Sequence, residues 1–281
     1  MPPLKSAALA KGIAMRVFTI LVAVLSATVV SAVSQDQSDQ LLRTAKAASP
    51  FNEFRSAQWV RVEGANGRRF LAAIMRPKGV GPFPAVVVLH GGDGLNTSYL
   101  SLASDLARSG FVVVTGCWQA ANTVCSEATP PGEWVADPAA HSGKELIALA
   151  RSLPKVQADR IGLYGLSRGG HAALWAASTG AHVQAVVADA PAHEPSPMQI
   201  YPPPPKPLTV IRDLDAPVLI MHGTSDSVIP AAQSREYESA ARDLGKPLVA
   251  EYFDGVRHMP SLLNEGARKM GVEFLKKNLL K

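Results

Sequence analysis

Cysteine occurs only twice in this chain of 281 residues, at Cys117 and Cys125. No histidine and no third cysteine shares that stretch, so it is not a cysteine-histidine metal module. No apolar run reaches the about 20 residues that a membrane-spanning helix needs; the run from Val17 to Ala32 stops short. Acid is missing from the first 32 residues, which hold Lys5, Lys11 and Arg16. Without those three bases, 25 lysines and arginines face 23 acids. The pI of 9.3 therefore belongs mostly to the first segment, and no nucleic-acid partner is expected. Internal repeats are absent as well, which argues against a solenoid.

What the chain does have starts with a leader. Positive residues, an uncharged apolar run and the small residues Val30-Ser31-Ala32 make residues 1–32 read as a secretory signal peptide. Met15-Arg16 directly before the run would make a compact signal by itself. No cysteine stands near the cleavage point, so a lipid anchor is not expected. The alternative is an uncleaved anchor; with cleavage, no stable membrane insertion follows. The expected location is periplasmic or secreted. In such an oxidising compartment Cys117 and Cys125, eight apart, are expected to close a disulfide. Two free thiols are the alternative.

Residues 33–50 read as a polar tether and 51–281 as one catalytic-size domain. Gln58 to Glu63 and Arg69 to Met75 alternate apolar and polar positions around Gly64-Ala65-Asn66-Gly67, a hairpin pattern. Pro84 to Leu89 is continuously apolar, as in a strand buried on both faces. Strands then alternate with helices. Strands are expected at Phe111 to Thr115, Arg160 to Tyr164, Val183 to Ala188, Pro217 to Met221 and Leu248 to Phe253. Helices are expected near Tyr99 to Ser109, Ala139 to Ser152, after Ser167, near Ala231 to Leu244, and from Ser261 to Leu280. This alternation predicts an α/β fold with a mostly parallel central sheet and helices on both faces. Two stretches break the rhythm: the cysteine loop through Trp134, and Pro191 to Pro207. Both follow strand ends, where open α/β sheets place their sites.

The chemistry centres on Gly165-Leu166-Ser167-Arg168-Gly169. A strand, a turn too tight for side chains at its ends and an alanine-rich helix lift the Ser167 hydroxyl off the sheet edge. A serine nucleophile needs a base, and the base needs an acid to fix its tautomer. His258, between the last strand and the last helix, is the candidate base. Asp226, just past the strand Pro217 to Met221, is the candidate acid, and Asp189 is its rival one strand earlier. Of the other histidines, His90 and His222 fit backbone hydrogen bonding and His171 fits packing. His141, His182 and His193 read as surface or loop residues. Trp118 and Trp134 either line a pocket or anchor loops.

The order Ser167, Asp226, His258 at successive strand ends resembles the α/β-hydrolase superfamily over about residues 51 to 280. The resemblance implies an oxyanion hole from the backbone N–H groups of Gly92 (Asp93 as the alternative) and Arg168. Gly81-Pro82-Phe83-Pro84 through His90-Gly91-Gly92, with no separate cap domain, resembles dienelactone-hydrolase-like proteins. Dienelactone hydrolases proper use cysteine as nucleophile, whereas this chain has Ser167, which favours a general carboxylic-ester hydrolase. Arg160-Ile161-Gly162 is similar to the catalytic domain of prolyl-oligopeptidase-type enzymes. The resemblance thus implies a serine esterase working through an acyl-enzyme on a small-molecule ester, with no cofactor and no metal. Lactonase, thioesterase and peptidase activity are the enzymatic alternatives, and a non-catalytic binding protein of the same fold is the distant one. No residue pattern specifies an oligomeric state.

Overall fold

The computed structural model describes residues 43–54, 57–63, 69–118, 143–193 and 206–280, all within one unit spanning residues 35–281. The expected signal peptide, the hairpin turn, Cys125, Trp134 and most of the proline-rich stretch lie outside the described residues.

Nine strands among the described residues form one sheet in the order β1-β2-β3-β5-β4-β6-β7-β8-β9. They are β1 (Arg43–Lys46), β2 (Gln58–Glu63), β3 (Arg69–Met75), β4 (Phe83–Leu89), β5 (Val112–Gly116), β6 (Val156–Leu166), β7 (Ala185–Asp189), β8 (Val218–Gly223) and β9 (Leu248–Phe253). From β5 to β9 every pairing is parallel; β1, β2 and β3 join antiparallel. The apolar run read from sequence as doubly buried is so: Ala85 through Leu89 are fully buried in β4. Arg43–Lys46 lies inside the stretch expected to be a tether, yet it pairs with β2 as an edge strand. Four residues without an apolar alternation carry little strand signal, and only the partner strand defines them.

The helices are α1 (Thr97–Arg108), α2 (Lys144–Ser152), α3 (Arg168–Ser178), α4 (Ala231–Asp243), α5 (Pro260–Leu263) and α6 (Glu265–Leu279), with a 3-10 turn at Pro207–Asp213. Helices α1, α5 and α6 contact one another, while α3 and α4 both contact the 3-10 turn, giving helices on both faces of the sheet. The single closing helix expected from Ser261 is two. Asn264 ends α5 and caps α6, its side chain accepting from the Ala267 N–H at 3.1 Å. An asparagine in extended backbone conformation is a preferred N-cap, so the interruption was written in a residue that the longer apolar pattern concealed. No helix among the described residues is long and apolar enough to cross a membrane.

The parallel register decides what the fold can do. Leu89 pairs with Gly165, Leu166 with Asp189, Asp189 with Met221, and Gly223 with Phe253. The loops after β4, β6, β7, β8 and β9 therefore leave the sheet side by side at one edge.

Candidate active site

Ser167 sits between β6 and α3 with φ 55° and ψ −114°, a backbone state that a non-glycine residue adopts only under constraint. The constraint comes from its flanking glycines. A Cβ at Gly165 would fall 2.1 Å from the Gly169 carbonyl oxygen, and one at Gly169 would fall 1.9 Å from the Leu89 oxygen. No side chain fits either place. The Ser167 N–H donates to the Asp189 carbonyl at 2.8 Å, which ties the turn to β7. Ser167 is 7% exposed.

Asp226 and His258 come from adjacent loops, and the sequence between them explains why they meet. A Cβ at Gly223 would lie 2.1 Å from the Val256 oxygen, so the loop after β9 closes directly over the end of β8. Ser225 N–H donates to the Val256 carbonyl at 3.0 Å, and the Thr224 hydroxyl donates to Asp254 at 3.0 Å. His258 Nδ1 then lies 2.6 Å from Asp226 Oδ2. A carboxylate accepts, so Nδ1 carries the proton and Nε2 is left as the basic nitrogen. Asp226 Oδ1 accepts from the N–H groups of Val228 (2.8 Å) and Ile229 (2.9 Å). Burial works against the Asp226 charge, but the hydrogen bonds from His258, Ile229 and Val228 outweigh it and hold the carboxyl below its usual range.

His222 adds a fourth contact to that carboxylate. Its Nε2 lies 3.1 Å from Asp226 Oδ2 and 2.9 Å from the Ile229 carbonyl, both acceptors, so this nitrogen donates. Nδ1 must then accept from the Ser234 hydroxyl at 2.8 Å. Burial lowers the His222 pKa and keeps the ring neutral. His193, read from sequence as a surface or loop residue, lies in the loop after β7 but is buried: it stacks on Tyr237 at 4.7 Å and lies 3.3 Å from Ser234 Oγ. Burial first, then the neighbouring His171 and His222, push its pKa down to about 3. His171 packs as expected, with Nδ1 2.7 Å from the Ala192 carbonyl. His90 donates from Nδ1 to the Gly91 carbonyl at 2.7 Å and packs on Trp118.

The rival acid has another task. Asp189 is fully buried and does not reach His258; its Oδ2 accepts from the Ser261 N–H at 2.9 Å and from the Ser261 hydroxyl. Ser261 stands three residues after His258, so Asp189 anchors the loop that carries the histidine. Burial pushes the Asp189 carboxyl up to about 7, against the Ser261 hydrogen bonds.

The loop after β4 lies against Ser167. A Cβ at Gly91 would be 3.2 Å from the Ser167 Cβ, and one at Gly92 would touch the Arg168 side chain. Tyr99, which sequence reasoning did not single out, organises this loop. Its buried hydroxyl accepts from the Gly91 N–H at 3.0 Å and donates to Asp93 Oδ1 at 2.5 Å. Asp93 Oδ2 accepts from Asn96, the N-cap of α1, and the Met259 sulfur lies 3.6 Å from the Tyr99 hydroxyl. Gly91 N–H is thus spent on Tyr99, which leaves that of Gly92 as the next in line. Arg168 opens α3, and the first N–H of a helix has no intrahelical acceptor. Cys117 is fully buried beside this region, while Cys125 is outside the described residues. Among the described residues no cluster of three or more His, Cys, Asp or Glu is arranged to hold a metal ion.

An open, mostly parallel sheet with a tight glycine-flanked serine turn and an aspartate-histidine pair at its carboxyl edge is the α/β-hydrolase fold. Solved structures agree. An esterase of Pyrococcus furiosus superposes with a TM-score of 0.66 at 16% identity, over 84% of this chain and 98% of that one. Acetyl xylan esterase 1 of Thermoanaerobacterium gives 0.60 at 16% identity, over 86% and 91%. An acylaminoacyl peptidase of Pyrococcus horikoshii gives 0.65 at 16% identity, over 83% of this chain and 44% of that one. At these identities the likeness is one of fold.

The family is narrower. The dienelactone hydrolase family model matches residues 70–268, and the chain belongs to that family. A Bradyrhizobium protein described as "Probable 2-oxo-3-(5-oxofuran-2-ylidene)propanoate lactonase" is 33% identical over 127 residues, 43% of this chain and 51% of that protein. The chain thus spans about half the length of that relative.

Proposed function

We propose that this protein is an exported serine hydrolase that cleaves carboxylic esters through an acyl-enzyme. The observation that carries the reading is the 2.6 Å hydrogen bond from His258 Nδ1 to Asp226 Oδ2, at the sheet edge where Ser167 is held at positive φ. In this reading Ser167 Oγ attacks the carbonyl carbon while His258 Nε2 takes its proton. Asp226 holds the imidazole in one tautomer and stabilises the imidazolium. The N–H groups of Gly92 and Arg168 receive the oxyanion. The tetrahedral adduct collapses, and His258 returns the proton to the leaving alcohol. Water then attacks the acyl-enzyme with His258 as base, releasing the acid and Ser167.

Hydrolysis of a short p-nitrophenyl ester tests this. Ser167→Ala and His258→Ala are each expected to lower turnover by about 10⁶, as loss of either residue does in a serine protease. Ester turnover that survives both substitutions would contradict it. A lactone is a cyclic ester, and the same steps open it with the alcohol still tethered to the acyl group. The partial match to the Bradyrhizobium lactonase favours including lactones in the first substrate panel. Export, with a Cys117–Cys125 bridge, belongs to the proposal through the leader pattern of residues 1–32.

A further inference from the structure

Two imidazoles meet at one carboxylate oxygen. His258 Nδ1 lies 2.6 Å from Asp226 Oδ2 and His222 Nε2 lies 3.1 Å from the same atom. The second ring has no part in the chemistry proposed above, yet neither its side chain nor that of Asp226 is accessible to solvent. Behind it stands a series of hydrogen bonds with one direction. Ser234 gives its proton to His222 Nδ1 at 2.8 Å, so its oxygen can only accept from His193 Nε2 at 3.3 Å. His193 Nδ1, buried and without a hydrogen-bond partner among the described residues, is then the bare nitrogen where the series ends. His193 donates to Ser234, Ser234 to His222, and His222 to Asp226. Burial keeps both rings neutral, and hydrogen bonds aligned in this way polarise one another.

The titratable groups around the series come from three elements. Tyr237 of α4 stacks on His193, His171 of α3 faces His193, and Asp189 at the end of β7 faces Asp226. None of them lies between His222 and Asp226, whose contact is direct.

We propose that His222 is a positioning residue of the hydrolase: its N–H takes up part of the Asp226 charge that would otherwise fall on His258, and so sets how far into acid His258 can act as a base. This rests on the reading of Ser167, Asp226 and His258 as the triad. His222 acts through Asp226 and would touch no reacting atom. A carboxylate stabilises an imidazolium across their hydrogen bond, and every further donor on that oxygen weakens the stabilisation. Without the His222 N–H, His258 becomes the sole side-chain donor to Oδ2, and the imidazolium gains. The Ile229 carbonyl shares the same N–H at 2.9 Å, which keeps the effect below that of an undivided hydrogen bond.

The test is the pH profile of kcat/KM for a short p-nitrophenyl ester. His222→Phe keeps the ring and removes the N–H; His222→Gln places an amide N–H where Nε2 stands. His222→Phe is expected to move the acid limb up by roughly 0.5 to 1 pH unit, and His222→Gln to leave it near the wild-type position. Ser234→Ala removes only the donor to His222 Nδ1, and is expected to move the limb the same way by less, which keeps the proposal testable should His222→Phe not fold. Asp189 is common to all these proteins, so the differences between profiles read His222. Folded His222→Phe and Ser234→Ala that lose stability while the limb stays in place would make His222 a core residue and overturn the proposal. Nitrogen-15 NMR of the histidine-labelled full chain gives a readout that needs no turnover. His222 is expected as the neutral Nε2–H tautomer throughout the acid limb, and the His258 Nδ1–H proton to move downfield in His222→Phe. An Nδ1–H tautomer at His222 overturns the proposal. The expected signals in a protein that hydrolyses no ester would sink the triad reading and leave the charge sharing at Asp226. Ester turnover that depends on Ser167, with an unmoved acid limb, does the reverse.

Discussion

Asp226 and Asp189 are chemically the same side chain at neighbouring strand ends, and their surroundings give them opposite tasks. Asp226 is held below its usual range by hydrogen bonds from His258, Ile229 and Val228, and His222 donates to it as well. Asp189 sits in an apolar interior that favours its neutral form and clasps Ser261. Asp226→Asn is therefore expected to lower turnover by about 10⁴, as loss of the triad acid does elsewhere, and Asp189→Asn to leave most of it. The reverse pattern in steady-state rates would transfer the acid role to Asp189. The raised Asp189 carboxyl also has a sign in stability. Its folded-state value of about 7 exceeds the unfolded one, so its contribution is complete below about pH 4 and is lost as pH rises towards 7. Asparagine mimics the neutral form. Urea melts are expected to show Asp189→Asn gaining on the wild type between pH 4 and 7 and levelling off above. Parallel pH curves would contradict this. Tyr99 is a different kind of residue, since it would touch no substrate and holds the loop that does. Tyr99→Phe removes the acceptor for the Gly91 N–H and the hydroxyl that donates to Asp93 Oδ1. We expect kcat to fall about 10-fold with little change in KM, less than the 10²–10³ for losing an oxyanion donor outright. A change confined to KM would place Tyr99 in substrate binding instead.

The elements were legible where hydrophobic period and punctuation agree. The hairpin, the doubly buried β4 and the glycine-flanked Ser167 all announce themselves in a few residues. The close approach of Gly169 to the Leu89 carbonyl turns that legibility into a prediction: Gly169→Ala would force a Cβ to 1.9 Å from backbone oxygen. Loss of soluble folded protein, or destabilisation beyond about 4 kcal/mol, is expected by denaturant unfolding; a wild-type midpoint would refute the packing described. Other features were hidden because their signal is tertiary. Edge strand β1 exists only as a partner of β2. His193 looks like a loop histidine until Tyr237 and Ser234 close around it. Tyr99 reads as one more apolar position on α1, and its hydroxyl gains meaning only when the β4 loop folds back onto it. Ser261 likewise looks like an ordinary helix start. Its role follows from Asp189, which lies 72 residues earlier.

At the scale of the whole molecule, parallel register is what assembles the site: five neighbouring strands end at one edge, and each delivers one part of it. The proposed export and the proposed Cys117–Cys125 bridge can be tested together at this scale. A nine-residue ring closed by Cys117 and Cys125 is worth about 2.5 kcal/mol in the loop-entropy treatment. Protein recovered from an oxidising compartment is expected to start at Val33, to lack free thiols, and to lose roughly that stability in Cys117→Ser/Cys125→Ser. Two alkylatable thiols in the exported protein would contradict the bridge. The central claim, however, is that the fold presents Ser167 as an activated nucleophile. Its most direct measurement is covalent labelling by a fluorophosphonate probe, followed by peptide mapping of the adduct. The label is expected on Ser167, at a rate that collapses in His258→Ala and with no adduct in Ser167→Ala. Undiminished labelling of Ser167→Ala would contradict the account.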